Sequence, residues 1–324
     1  MINGVAMPES DLPLVSIATP VYNCEKYVKE CIDSILNQTY QNWEYVIVDN
    51  CSTDRSLEII RECAGDDPRI RIIVNDVLLK PLPNHNSMLR KISDKSRYCK
   101  IVHSDDWLFP ECIEKMVSLA EQYPNVGIVG SYRLVGEKVK SVGLPYTRSV
   151  IPGAEMARMN LLDGPYTFGS PTALLLRSDL IRARHPFYNE SHPSADTEVC
   201  YDLLQNCDFG FVHQVLPFER VHPESISSGN LQLNTDIANL LVLFKKYGPI
   251  FLTEEEYSRI FSKKLREYYR FLGSRIINLN DKKFWKFHSE ALARIGIEMN
   301  WFKVLVGSLY SGLRGVLALR KRLN

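Results

Sequence analysis

Tyr45-Val-Ile-Val48, followed at once by Asp49-Asn-Cys-Ser-Thr-Asp54, decides the architecture of this chain. A short β-branched and aromatic run cut off by turn formers reads as a buried strand ending in a tight loop. Upstream, Leu14-Val-Ser-Ile-Ala-Thr19 is a second such run, ended by Pro20. Between the two, Tyr27, Val28, Cys31, Ile32, Ile35 and Leu36 recur with helical period after Asn23, a helix-capping residue type. Downstream, Leu57, Ile60 and Cys63 suggest a helix, Ile70-Arg-Ile-Ile-Val74 a third strand, and Lys100-Ile-Val102 a fourth. A loop with Pro81 and Pro83 leads to a helix expected around Ser87 to Ile92. Ile113, Met116, Val117 and Ala120 form another helical stripe before a fifth strand, Val126 to Val129. Strands alternating with helices imply an α/β fold, a mainly parallel sheet flanked by helices.

Ligands bind beyond the carboxyl ends of the strands in such sheets. Asp49 after the second strand and Asp105-Asp106 after the fourth are therefore expected at one crevice. From Lys138 to about Gly153 the pattern is irregular. Ala173 to Leu176 and Phe209 to Val212 read as strands, with a helix from about Asp196 to Gln205 between them. From Asn230 onward the reading is all-helical, at Ile237 to Lys246, Glu254 to Ile277, Lys282 to Ile295 and Trp301 to the end. A domain boundary near residue 228 separates an α/β domain, 1–228, from a helical C-terminal region, 229–324.

With 324 residues, 45% hydrophobic and 24% charged, the chain can bury a sizeable core without disulfides. A net charge of +1 argues against a nucleic-acid binder. No apolar run of ~20 residues and no signal peptide is visible, so the expectation is a cytoplasmic protein with reduced cysteines. None of the eight cysteines forms a C-x-x-C pair. No G-x-G-x-x-G, P-loop or G-x-S-x-G motif is present.

The chemistry is carried by acids. Asp49 can accept from a nucleobase or a ribose hydroxyl, and equally suits a turn or the cap of the next helix. Adjacent carboxylates such as Asp105 and Asp106 repel each other, a cost best tolerated beside a cation. Mg2+ or Mn2+ takes one or two protein carboxylates and fills its other positions with water and phosphate oxygens; a solvated turn is the plainer alternative. Asp196 and Glu198, at a helix start, offer a general base or merely a cap, with Glu198 and Asp202 on solvated faces. His222, in Arg220-Val-His-Pro, can complete a metal shell.

Together these residues resemble family 2 of the glycosyltransferases, inverting enzymes with the GT-A fold. Val15-Ser-Ile-Ala-Thr-Pro-Val-Tyr-Asn23 is similar to the family's opening strand and P-x-Y-N turn. Val46-Ile-Val-Asp-Asn-Cys-Ser-Thr-Asp54 resembles its nucleotide-contacting loop, and Ser104-Asp-Asp-Trp-Leu108 its metal-binding D-x-D region. The resemblance runs over about residues 14 to 228, with a nucleotide-sugar half to about 130 and an acceptor half beyond. It implies that Pro20, Tyr22 and Asp49 hold base and ribose, that Asp105 contacts ribose or sugar, and that Asp106 binds the metal with His222. Asp196 would deprotonate the acceptor. Two departures stand out: His85-Asn86 replaces an Arg-Asn pair, and Ala195-Asp196 replaces Glu-Asp.

The expected activity is metal-dependent transfer of a sugar from a nucleotide-sugar donor, UDP-linked by default, to a glycan or lipid-linked hydroxyl. The alternatives are a nucleotidyltransferase that forms nucleotide sugars and a non-catalytic binding protein on the same fold. The turn Gly169-Ser-Pro-Thr172 keeps side chains small where an acceptor must approach, which makes Ser170 an acceptor-site candidate or part of an ordinary turn. In 301–322, Trp301, Leu305, Leu309, Gly312 and Val316 form an apolar stripe roughly opposite Lys303, Arg314 and Lys321. That pattern suits peripheral contact with the inner face of a membrane, packing on the catalytic domain, or pairing with a second subunit.

Overall fold

The computed structural model describes residues 12–192, 194–224 and 234–310. Two compact units divide the chain, Met1–Val221 and His222–Asn324.

The first unit alternates strands and helices through β1 (Val15–Val21), α1 (Val28–Leu36), β2 (Trp43–Asp49), α2 (Ser56–Ala64), β3 (Ile70–Val74), α3 (Pro81–Leu89) and β4 (Tyr98–Ile101). It continues with β5 (Trp107–Leu108), α4 (Cys112–Gln122), β6 (Val126–Val135), β7 (Lys138–Lys140), β8 (Val150–Ile151) and α5 (Gly153–Leu161). It closes with β9 (Leu175–Arg177), α6 (Ser178–Arg182), α7 (Ala195–Leu203) and β10 (Asp208–Glu219). One sheet takes the order β3-β2-β1-β4-β9-β6-β10-β5, with β7 on β6 and β8 on β10. Neighbours β3, β2, β1 and β4 run parallel, as do β6 and β10, while β9 is antiparallel to both β4 and β6. All seven residues of β1 are buried, as expected of a parallel strand covered on both faces. The α/β architecture read from the sequence, a mixed sheet with a parallel half flanked by helices, is the one present.

Several local readings need correction. β1 does not stop at Pro20 but runs to Val21, paired with β2 as far as Asp49, while its last pair with β4 is Ala18 with Ile101. Ala18 O accepts from Val102 N, so the backbone of residue 20, two positions on, faces the same side, where β4 has already ended. A proline there leaves no ladder bond unmade. Pro81 and Pro83 lie in the first turn of α3 rather than in a preceding loop, where backbone N–H groups have no intrahelical partner. Asn23 does not cap α1; it adopts φ 48° and its Oδ1 accepts from Thr53 N at 2.8 Å. β6 and β10 run well past the stretches read from sequence, because Ser131 and Arg133 in β6 and His213 and Gln214 in β10 interrupt the apolar pattern before it resumes at Leu134 and Val215. The irregular segment holds β7, turned from β6 through Gly136 at φ 54°, and β8.

The described part of the second unit is helical: α8 (Thr235–Phe251), α9 (Glu254–Ser274), α10 (Lys282–Arg294) and α11 (301–310). Thr253 and Glu256 form a capping box at α9, with Thr253 Oγ1 accepting from Glu256 N and the Glu256 carboxylate from Thr253 N. Its core joins Leu241, Tyr268, Leu272, Phe284, Leu292 and Val304.

Gly153 at the start of α5 marks the tightest backbone approach in the first unit. A Cβ there would lie 2.0 Å from Cys207 O and 2.3 Å from Leu204 O. Backbone oxygens cannot swing aside, so Gly153→Ala is expected to cost about 3 kcal/mol, read as a fall of roughly 5–10 °C in melting temperature. An unchanged melting curve would contradict this packing.

Candidate active site

The carboxyl ends of β1, β2 and β4 meet along one edge, and the loops leaving them interlock. Asn23 N donates to Ser52 Oγ, Cys24 N to Ser56 Oγ at 2.7 Å, Glu25 N to Asp54 Oδ2, and Arg55 N to Glu25 Oε2. Two residues take left-handed backbone to make this fit, Asn23 and Cys51 at φ 60°. Pro20 is buried in β1 opposite Val48, and Tyr22 projects just past it, 48% exposed.

Asp49 closes β2 and is 1% exposed. Its Oδ2 accepts from Ser52 N at 3.1 Å, while Oδ1 is buried without a hydrogen-bond partner among the described residues. A buried carboxylate oxygen left open is costly and suits a donor supplied from outside the chain.

Beyond β4, Asp106 is 5% exposed. Its Oδ2 accepts from Thr172 Oγ1 at 2.6 Å and its Oδ1 from Arg220 N at 3.0 Å. Thr172 Oγ1 in turn accepts from His103 N at 3.1 Å. Burial pushes the Asp106 carboxyl up to about 6, with neighbouring Asp105 adding to the rise, while His103 and the two hydrogen bonds hold it down. Ligand atoms of His103, Asp105 and Asp106 all lie within 4.8 Å of one another. One imidazole and two carboxylates form a donor set that a divalent cation fits, and a cation would offset the charge concentrated at Asp106.

Arg220 braces this cluster. Its Nε donates to Asp105 O at 3.0 Å, its guanidinium pairs with Glu30, and it stands 4.7 Å over the Tyr27 ring. Lys100, fully buried in β4, donates to Thr172 O at 2.7 Å and Leu174 O at 3.2 Å; burial lowers its pKa. His85 Nε2 faces His103 Nε2 at 3.3 Å, and burial followed by His103 pulls His85 down to about 4. The second residue of that pair, Asn86, exchanges hydrogen bonds with the Tyr188 backbone, donating to its O and accepting from its N, both at 2.8 Å. His85-Asn86 therefore ties α3 to His103 and to the chain entering α7.

Ser170 and Asp196 come together in the structure. Both line a narrow hollow with Gly169, Leu174, Tyr188 and Cys200. Ser170 Oγ donates to Glu219 Oε1 at 2.8 Å, and Glu219 is paired with Arg133. Asp196 Oδ1 accepts from Thr197 N at 2.8 Å. Glu198 does not lie on a solvated face: it is 2% exposed, and Asp202 pairs with Arg184 at 2.6 Å. His222 opens the second unit; the imidazole beside Asp106 within the first unit is that of His103, which the sequence reading passed over. Its position two residues before Asp105 at a strand end was the available signal. Thr172, Lys100 and Arg220 gave none, since their roles rest on tertiary contacts. The cysteines are free, and burial pushes Cys24, whose thiol hydrogen-bonds Ser104, up to about 11, away from nucleophilic use at neutral pH.

A model of glycosyl transferase family 2 matches residues 16–184. Among curated relatives, an uncharacterized glycosyltransferase of Haemophilus influenzae is 30% identical over 189 residues, 57% of this chain and 58% of that protein. The chain thus spans little more than half of that relative. A second from the same organism is 28% identical over 240 residues, 74% of this chain and 92% of its own length. Two solved structures share the fold. S. aureus TarS 1–349 in complex with UDP has a TM-score of 0.62 at 19% identity, covering 87% of this chain and 79% of that one. The mannosyltransferase PcManGT from Pyrobaculum calidifontis, in complex with GDP-Man and Mn2+, has a TM-score of 0.56 at 16% identity, covering 97% and 83%.

The Thr172 hydroxyl joins the β4 loop to the turn before β9. Thr172→Val keeps its shape but strands His103 N and removes a donor from Asp106, at an expected cost of roughly 1–3 kcal/mol. The urea midpoint should fall at unchanged slope and recover largely in Thr172→Ser; equal stability of Thr172→Val and the parent chain would reject the linkage.

Proposed function

Because this chain belongs to glycosyltransferase family 2, we propose that it transfers a sugar from a UDP-sugar to a hydroxyl of a glycan or lipid-linked acceptor with inversion at the anomeric carbon. Family membership makes it a glycosyltransferase and sets aside the nucleotide-sugar-forming and non-catalytic alternatives. The observation that carries the finer reading is the cluster of His103, Asp105 and Asp106 on the same sheet edge as the open oxygen of Asp49. UDP is favoured because TarS, which shares the fold, was solved with it.

In this reading Pro20 and Tyr22 flank the base, Asp49 accepts from base or ribose, and Asp105 faces ribose or sugar. Asp106, with His103, would hold Mn2+ or Mg2+, which when bound supplies Lewis-acid stabilisation of the departing diphosphate. Asp196 accepts the proton of the acceptor hydroxyl as that oxygen attacks the anomeric carbon. An alcohol is a weak nucleophile at neutral pH, and a positioned carboxylate contributes ~100- to 10,000-fold. A single displacement inverts the anomeric centre. Ser170, held by Glu219 on the rim of the same hollow as Asp196, borders the acceptor path.

Two substitutions separate the roles. Asp106→Asn should abolish the manganese-dependent part of the thermal shift given by UDP, because a ligand that binds only the folded state raises apparent stability. Retention of that shift would remove Asp106 as the metal ligand.

Asp196→Asn should lower turnover by ~100-fold or more with donor affinity little changed. Near-normal turnover in this variant would move the base elsewhere, with the buried Glu198 next in line.

A further inference from the structure

The last described helix, α11, has two faces of opposite character. One packs closely on α9 through Val304 and Gly307: a Cβ at Gly307 would lie 2.4 Å from Tyr269 O, and one at Gly273 would lie 2.3 Å from Ser308 N. Only glycine lets the two backbones approach this far. At about 100° per residue, Phe302, Leu305, Val306 and Leu309 fall within an arc of about 100° on the side turned away from that contact. Their exposures are 74%, 54%, 50% and 71%.

The faces differ from the stripe expected from sequence. Phe302 and Val306 join Leu305 and Leu309 on the exposed side, whereas the Trp301 ring stands 5.0 Å from Trp285 and Lys303 reaches over Tyr269. Gly312, Val316, Arg314 and Lys321 lie outside the described residues. The packed face is spent on glycine and valine, so the large apolar side chains are not needed for the helix–helix contact. Four of them together in water are unfavourable unless something covers them.

The charge of the segment identifies what covers them. From Met299 to Asn324 the sequence holds Lys303, Arg314, Arg320, Lys321 and Arg322 and no acid, in a chain whose net charge is +1. In a symmetric pair of chains the same basic segment would meet itself, like charge against like. An anionic lipid surface accepts both the apolar face and the cations. We infer that α11 is a peripheral anchor that lies in the interface of an anionic bilayer, with Phe302, Leu305, Val306 and Leu309 at the acyl boundary, and that the basic charge of the segment strengthens binding to anionic headgroups. None of the described helices is long and apolar enough to cross a membrane.

Flotation of the whole chain with vesicles containing phosphatidylglycerol, against vesicles of phosphatidylcholine alone, tests it. Binding is expected to the anionic vesicles only, and to weaken as salt is raised. The double substitution Leu305→Ser with Leu309→Ser, and separately Arg320→Gln with Lys321→Gln and Arg322→Gln, should each lower the bound fraction about tenfold or more, with melting curves unchanged. If the serine pair melts early, the charge variant decides alone. No flotation, equal binding to both vesicle types, or binding that both variants leave intact overturns the inference. So does a dimer, seen by sedimentation without lipid, that the serine pair splits into monomers while no vesicle binds.

Discussion

The buried carboxylate of Asp106 is the constraint on which the site depends. Three separate pieces of chain meet on it: the loop after β4 supplies the acid, the turn before β9 supplies the Thr172 hydroxyl, and the end of β10 supplies the Arg220 N–H. The Thr172 contact is short and the Arg220 contact of ordinary length, and together they take the place of the water a carboxylate would otherwise keep. They do not neutralise it, since burial still raises its proton affinity. A group so placed is satisfied geometrically yet remains electrostatically expensive, the state in which a divalent cation contributes most. The surrounding residues serve the same end. Lys100 fixes the turn that presents Thr172, and Arg220 is itself fixed by Glu30 and Tyr27.

The nucleotide side is built on a different principle. There the loops after β1 and β2 bind each other through backbone N–H groups and short polar side chains, with Asn23 and Cys51 forced into left-handed backbone. That strain is tolerated because each loop supplies the other's hydrogen bonds. The result is a rigid rim in which Asp49 uses one oxygen to hold its own loop and keeps the other open.

Much of this was legible in the sequence because parallel strands buried on both faces read as mostly apolar, β-branched runs, as β1 and β2 do despite Ser16, Thr19 and Glu44. Asp49 and Asp106 follow directly from the rule that such strands present their carboxyl ends to ligand. What was not legible depends on contacts between distant segments. Asn23 has the residue type of a helix cap, and only Thr53, thirty residues on, shows that its oxygen is used across the loops instead. Pro81 and Pro83 look like loop residues because nothing local distinguishes a proline before a helix from one in its first turn. Arg133 in β6, and His213 and Gln214 in β10, interrupt the apolar pattern midway, so hydrophobicity alone cut both strands short. His103 carries no sequence signal of its own beyond its place two residues before Asp105.

The placement of Ser170 and Asp196 follows from a strand that runs against both of its neighbours in the middle of the sheet. β9 enters the sheet between β4 and β6 in the antiparallel sense. An antiparallel strand begins where its parallel neighbours end, so the turn of residues 169–174 arrives at the same edge as the β4 loop. A parallel strand at that position would have put the turn on the opposite edge, away from Asp106. The reversal lets one short turn touch Asp106 through Thr172 and line the hollow of Asp196 through Gly169 and Ser170. Small side chains are imposed there as well: Gly169 takes φ 67°, and a Cβ on it would meet Ala173 Cβ and Arg133 Nε at 2.8 Å. The acid cluster and the hollow are thus held in register by a single turn of backbone, and a shift of that turn would disturb both together.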